Sequence, residues 1–301
     1  MSHDPRPNIL QKIDIDSCLV RNFSGFVFLC GGEINGSHVP PKTMRDAFLR
    51  AYRLRYPQES DKIILAESIN NWSLDQIYPD LLSLENDIAH LSNAIILFVE
   101  SPGSIAELGA FSCLANVAPK LLVILDNKYD SRKSFIGLGP SRFLDVELKN
   151  KSFSFPFDVN EIESLHDEIV SEINHRTSEI PAAAKFNKLD NRHVILLISE
   201  LIKLFTALRI GEILEYLQHF SIELTKKHLE RFLFLLEKLN LIVRKEYGRD
   251  HYFVNFGSVD FIRFSGLGDR DRASSDILAF YGEHDKRRES AARSVLREIK
   301  N

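Results

Sequence analysis

Residues 100–112 read ESPGSIAELGAFS and follow the apolar run Ala94-Ile-Ile-Leu-Phe98. A buried strand, a tight turn at Pro102-Gly103 and a new helix are the expected succession. The first amides of such a helix, helped by its dipole, favour an anion such as the phosphate of a nucleotide. Ser101 and Ser104 are therefore candidate substrate contacts. Glu107 lies one turn in. A carboxylate there is suited to attack, or to stabilise, the anomeric carbon of a ribosyl ring as positive charge develops on the departing sugar. A competing reading uses the same lone pairs: Ser104-x-x-Glu107 is itself a capping-box pattern, in which the glutamate merely accepts the N-cap amide.

Other candidates stand where strands are expected to end. Gly31-Gly32 closes the run Phe26-Val-Phe-Leu-Cys30 and would let a ribose or phosphate approach the backbone, or simply make a turn. Glu67 follows Lys62-Ile-Ile-Leu-Ala66, and Glu100 follows Ala94–Val99 as a possible partner of ribose hydroxyls. Glu85, beside Asn86, belongs to a helix expected from about Leu81 to Leu91. Asp126 and Asn127 end the run Leu121-Leu-Val-Ile-Leu125. Cys18, Cys30 and Cys113 lack metal-ligand spacing and cannot form a disulfide framework, and the histidines make no ligand cluster. No metal and no cofactor is expected.

These residues need a scaffold. Four apolar runs of strand length alternate with helical patterns at Thr43 to about Leu54, Leu81–Leu91 and Ser101 to about Asn116. A loop with Trp72 and Pro79 lies between the second strand and the second helix. Such runs mean a parallel sheet covered on both faces, with ligands at the carboxyl ends of its strands. Lys151–Asp158 (KSFSFPFD) alternates but holds Pro156, so it is an edge strand or loop. A polar helix over Asn160–His175 and a linker at Pro181–Lys185 complete a first domain, 1–180.

A second domain, 181–301, has another character. Helices are expected at His193–Leu208, Gly211–Phe220 and Leu224–Leu239, then a hairpin around Tyr247-Gly-Arg-Asp250 and a charged helical tail from Asp269. Three helices followed by a hairpin is the order of a winged helix-turn-helix. Lys227, Arg231 and Lys238 on the last helix, with Arg244, Lys245 and Arg249 on the hairpin, are candidate nucleic-acid or partner contacts. Residues 181–301 carry a net +4 and the remainder −8, so the two parts differ in charge. Between Arg209 and Phe256, eight basic residues face seven acidic ones, which argues against tight non-specific DNA binding.

The 301 residues suffice for two such domains, and 44% apolar with 27% charged residues is ordinary globular composition. No apolar run approaches the ~18 residues of a membrane span, and MSHDPRPNIL lacks a secretory apolar segment. A reduced, cytoplasmic protein is expected.

Taken in order, FLCGG, Leu82-Ser-Leu-Glu-Asn86 with Ala94-Ile-Ile-Leu-Phe98, ESPGSIAELGAFS, and Lys133-Ser-Phe-Ile136 leading to Gly139-Pro140 resemble the nucleoside 2-deoxyribosyltransferase-like domain of bacterial retron effectors. The resemblance covers roughly residues 20–150 and extends to the C-terminal winged-helix arrangement. It implies a Rossmann-like α/β domain that cleaves an N-glycosidic bond, with NAD⁺ as substrate and Glu107 as the catalytic carboxylate. It also implies a toxin of anti-phage defence, partnered with a reverse transcriptase and its branched RNA–DNA (msDNA), and a homo-oligomer. Two other readings stay open. One is a nucleotide-sensing domain coupled to a DNA-binding winged helix, hence a regulator. The other is a phosphoribohydrolase of the lysine-decarboxylase-like type, disfavoured because Pro102-Gly103-Ser104 replaces P-G-G.

Overall fold

A computed structural model describes residues 3–21, 25–69, 77–129, 133–150, 152–257 and 259–300, with side chains to residue 295. Trp72, part of the expected loop, lies outside the described residues, as does Lys151 at the start of the expected edge strand. The chain forms two compact units. One is continuous but for a short excursion: 25–69 and 80–181. The other gathers 3–21, 77–79 and 182–300.

In chain order the elements begin with α1 (Arg6–Lys12) and β1 (Leu19–Arg21). The α/β unit follows: β2 (Val27–Cys30), α2 (Met44–Arg55), β3 (Ile63–Ile64), α3 (Leu81–Leu91), β4 (Ala94–Val99), α4 (Pro102–Ser112), β5 (Leu121–Asp126), β6 (Phe153–Phe155) and α5 (Ile162–Glu179). Its five strands are all parallel, in the order β3-β2-β4-β5-β6. This is the Rossmann-like sheet anticipated from the apolar runs. β4 and β5 are buried almost end to end because helices cover both faces. Val27, Leu29, Ile96 and Phe98 pack with Phe48 and Tyr52 of α2 and Ile169 and Ile173 of α5. On the other face Phe28 meets Phe111 of α4, with ring centroids 6.2 Å apart. The strand order reverses at β2, so the crevice of the sheet lies at the carboxyl ends of β2 and β4, at Gly31 and Glu100.

Helix starts are set locally. Thr43 caps α2 by accepting the Asp46 amide at 3.1 Å, and Asp80 caps α3 by accepting the Ser83 amide at 2.7 Å. Two expectations are corrected. α4 stops at Ser112 rather than Asn116, and β3 is only two residues long. Beyond β5, residues 137–147 are helical with wide turns (Gly137–Ser141 and Phe143–Glu147), which no periodicity announced.

The second unit holds β7 (Ala183–Lys185), α6 (Asn191–Leu204), α7 (Ile210–His219), α8 (Lys226–Lys238), β8 (Ile242–Tyr247), β9 (Asp250–Asn255), β10 (Ile262–Arg263), α9 (Arg270–His284) and α10 (Lys286–Lys300). Three helices and an antiparallel hairpin follow one another as the sequence predicts. The hairpin turns at Gly248, whose φ of +68° suits glycine. The expected linker is instead β7, paired antiparallel with β1, whose other edge takes β10. The N-terminal segment, placed by sequence reasoning in the first domain, thus belongs to this unit. Arg6 of α1 fastens it to Glu212 of α7 at 2.7 Å, and Arg288 of α10 meets the same carboxylate at 2.8 Å. Among the described residues no helix is long and apolar enough to cross a membrane.

Candidate active site

The first turn of α4 decides what Glu107 is free to do. Ser101 is the N-cap, and Ser104 completes the capping box. The Ser104 amide donates to Ser101 Oγ at 3.2 Å; Ser104 Oγ accepts the Ser101 and Glu100 amides at 2.9 and 3.0 Å. Ser104 is 1% exposed and its hydroxyl donates to the Ser101 carbonyl at 2.9 Å. The two serines are therefore occupied in the cap. The Ile105 amide is likewise used, by the Ser101 carbonyl at 3.1 Å. The anion cradle expected from this helix start is reduced to the exposed Gly103 amide. The same cap removes the competing reading of Glu107, because the N-cap amide is already taken.

Glu107 is half-buried, and its Oε2 is a buried atom with no hydrogen-bond partner among the described residues. Glu85, 8% exposed, comes from α3 on the same face of the sheet. Burial pushes both carboxyls up to about 7, and the charge of Glu107 adds to the rise at Glu85. Cys30, fully buried at the end of β2, is raised well above an ordinary thiol, first by burial and then by Glu107 and Glu85. It stays a neutral thiol and is no nucleophile.

One residue of this site was missed. Arg45, in the first turn of α2, is 6% exposed. Its guanidinium donates to the carbonyls of Leu29 at 2.7 Å and Gly32 at 3.2 Å. It also pairs with both oxygens of Glu67 at 2.9 Å. Arg45 opposes the rise at both Glu85 and Glu107, and Glu67 adds to it. An arginine inside the apolar stretch Met44-Arg-Asp-Ala-Phe-Leu49, all buried, was the available signal. Glu67 thus belongs to the site, though bound to arginine rather than standing free for substrate.

Glu100 is engaged by the backbone. Its oxygens accept the amides of Gly32 at 3.0 Å, Met44 at 2.7 Å and Arg45 at 3.2 Å, so it caps α2 and ties it to the β2 loop. Burial raises its carboxyl and these amides pull it back. Gly32 is buried; a Cβ there would come within 2.7 Å of Thr43 Cγ2 and 2.9 Å of Glu100 Oε1. Gly31 has φ +146°, with Phe98 and Arg45 within 3.1 Å of the place a Cβ would take. Both glycines permit close packing of the loop. Asp126 pairs with Lys128 at 2.7 Å, and Asn127 accepts from Ser154 at 2.7 Å.

In the second unit, a groove of about 890 Å³ runs between α8 and the hairpin. Lys238, Arg244 and Arg249 line it, together with Lys226, Glu230 and Glu237. Lys227, Arg231 and Lys245 are not among its walls. Arg231 lies over the Tyr78 ring, 4.9 Å from its centroid. Arg244 pairs with Glu246 at 2.8 Å. The sequence therefore grouped six basic residues of which three share one cavity. Among the described residues, no group of three or more His, Cys, Asp or Glu could hold a metal ion.

The family profile described as "STM3845 retron effector protein" matches residues 41–244. The "Retron Ec86 putative ribosyltransferase/DNA-binding protein" of Escherichia coli is 40% identical over 121 residues, 39% of this chain and 36% of that protein. Its Ec73 counterpart of the same description, also from Escherichia coli, is 28% identical over 147 residues, 48% of this chain and 46% of that protein. The matched stretches thus span less than half the length of these relatives.

Proposed function

Because the chain belongs to the STM3845 retron effector family, we propose that it is a defence effector whose α/β unit breaks an N-glycosidic bond, with NAD⁺ as substrate and Glu107 as the attacking carboxylate. The observation that carries this reading is the unpartnered Glu107 Oε2, left out of the helix cap that Ser101 and Ser104 complete. The names of the Ec86 and Ec73 relatives point to the same class of chemistry.

The chemistry balances with these groups. Glu107 attacks C1′ of the nicotinamide riboside, and the electrons of the C1′–N bond return to the ring nitrogen. That ring carries a positive charge, so nicotinamide leaves neutral without an acid. Water then attacks C1′ and the ester bond returns its electrons to Glu107. Ionised Glu85 accepts the water's proton. A neutral purine leaving group would instead need Glu85 as the acid. A carboxyl near 7 serves either direction, which is why substrate choice must be measured.

The second unit is read as a winged helix, with α8 and the β8–β9 hairpin flanking the groove. A reverse transcriptase and its branched RNA–DNA are the proposed partners, and further copies of the chain the proposed assembly. Purified protein incubated with NAD⁺ should release nicotinamide, followed by chromatography. Glu107→Gln should lower that rate by at least a thousandfold, the order found when a nucleophile is removed. Nicotinamide release undiminished in a folded Glu107→Gln variant would remove Glu107 from the reaction.

A further inference from the structure

We infer that the groove between α8 and the β8–β9 hairpin takes unpaired nucleotides of a single strand rather than the side of a duplex. The inference rests on the nucleic-acid reading of this unit given above and names the form of strand it receives. Alternation along the strands divides the hairpin into two faces. Val243, Tyr252 and Val254 turn to one face and pack with Ala291, Ala292 and Val295 of α10. Arg244 and Phe253, opposite each other in register, line the groove on the other face together with His251. Lys245 stands opposite Tyr252 and so follows the α10 face, which is why it is not a wall of the groove. One side of the hairpin is thus covered by α10, and the groove is the side left open.

A helix that lies in the major groove of a duplex presents a polar face to the base edges. The middle of α8 has none to offer, because Phe232–Leu236 are all buried. Beside them Tyr78, itself buried, donates to the Arg231 carbonyl at 3.3 Å and meets the Phe234 ring edge-on at 6.1 Å. Its own ring lies under the Arg231 guanidinium. Fully exposed positions of α8 remain only at its two ends, at 226–228 and at Lys238. The groove offers a mixture instead. Lys238, Arg244 and Arg249 share it with Glu230, Glu237 and the apolar Phe253. The flank of a duplex presents phosphates, one charge per about 1.7 Å of axis, and the two carboxylates repel them. An unpaired nucleotide matches all three kinds of wall: its phosphate meets the cations, its ring face the apolar side chain, and the amino group of its pairing edge a carboxylate. An acidic protein segment would satisfy the cations alone. The volume of about 890 Å³ falls within the roughly 300–1,000 Å³ of sites that enclose such groups.

Fluorescence anisotropy of the full chain with labelled DNA tests this. The probes are a single strand of about twelve nucleotides, its blunt duplex, and the same strand with abasic residues at its centre. The strand should bind tighter than the duplex by about tenfold or more, and removal of the bases should weaken it by about tenfold. Lys238→Gln and Arg249→Gln should each weaken strand binding several-fold. Lys227→Gln, outside the groove, should leave it unchanged. All three side chains are exposed, so their replacement does not put folding at stake. Duplex binding as tight as strand binding, or an abasic strand that binds as well as the intact one, overturns the inference and leaves the nucleic-acid reading standing. Failure of every probe to bind overturns both. Displacement of the strand by poly-glutamate, with no cost for the missing bases, would assign the groove to an acidic protein segment and sink the inference as well.

Discussion

Ser104 Oγ accepts the Ser101 amide at 2.9 Å, and one turn further along α4 Glu107 is left with an oxygen that bonds to nothing among the described residues. The division of labour has separable consequences. Ser104→Ala removes every bond that the Ser104 hydroxyl makes in the cap and should cost about 1 kcal/mol of stability. Glu107→Gln removes no cap bond, so its melting temperature should equal or exceed that of the parent at neutral pH. Differential scanning calorimetry of the two variants checks the contrast.

Glu85 and Glu107 also predict how stability varies with pH. Each carboxyl titrates near 7 in the folded chain against an ordinary 4.5. Between these values the native state binds more protons than the unfolded state, so stability falls as pH rises from about 4.5 to 7. The pair should account for a loss on the order of 2 kcal/mol over that window, after allowing for the screening of half-exposed Glu107. Urea unfolding at pH 5 and pH 7.5 measures the slope, and the double variant Glu85→Gln/Glu107→Gln should flatten it.

Glu100 is predicted to act on stability before catalysis. Glu100→Ala leaves the amides of Gly32, Met44 and Arg45 without their acceptor. A loss of about 2–3 kcal/mol is expected from unsatisfied buried donors. Turnover should drop as well, because the amide of Arg45 is one of the three. Glu100→Gln keeps an acceptor oxygen and should recover part of both. A melting temperature equal to the parent's in Glu100→Ala would contradict the capping role.

The basic residues divide into two groups by position. Lys238, Arg244 and Arg249 line the groove, whereas Lys227 and Lys245 do not. If the winged-helix reading holds, replacing each groove residue by Gln should reduce the salt slope of branched RNA–DNA binding by about 1. Lys227→Gln should change it little. Fluorescence anisotropy across a salt series gives the slopes, and equal effects at all positions would count against the groove as the contact.

Much of the α/β scaffold was legible because its strands are continuous apolar runs and its helices carry their own caps, as at Thr43 and Asp80. The carboxyl ends of the strands then pointed to the candidate site. What escaped reading was partnership across the fold. Glu100 and Glu107 look alike in sequence, seven residues apart, yet three amides claim one, and among the described residues none claims Oε2 of the other. Arg45 lay in an apolar pattern that gave no hint of the carbonyls at the end of β2 awaiting a donor. The strand β7 read as a linker because Pro181-Ala-Ala-Ala-Lys185 is short and exposed, and its partner is distant in sequence. Basic residues on α8 were grouped by helical spacing, which does not say what the Tyr78 ring will cover.

The antiparallel seating of Leu19–Arg21 between Ala183–Lys185 and Ile262–Arg263 has a consequence for biosynthesis. A ribosome delivers the middle strand of that sheet early, then must translate the whole α/β unit before either neighbour emerges. During elongation Val20 therefore has nothing to bury against, and the second unit cannot close until its final strand has left the exit tunnel. A nascent chain passes through a stage at which the α/β unit is complete and its companion is not.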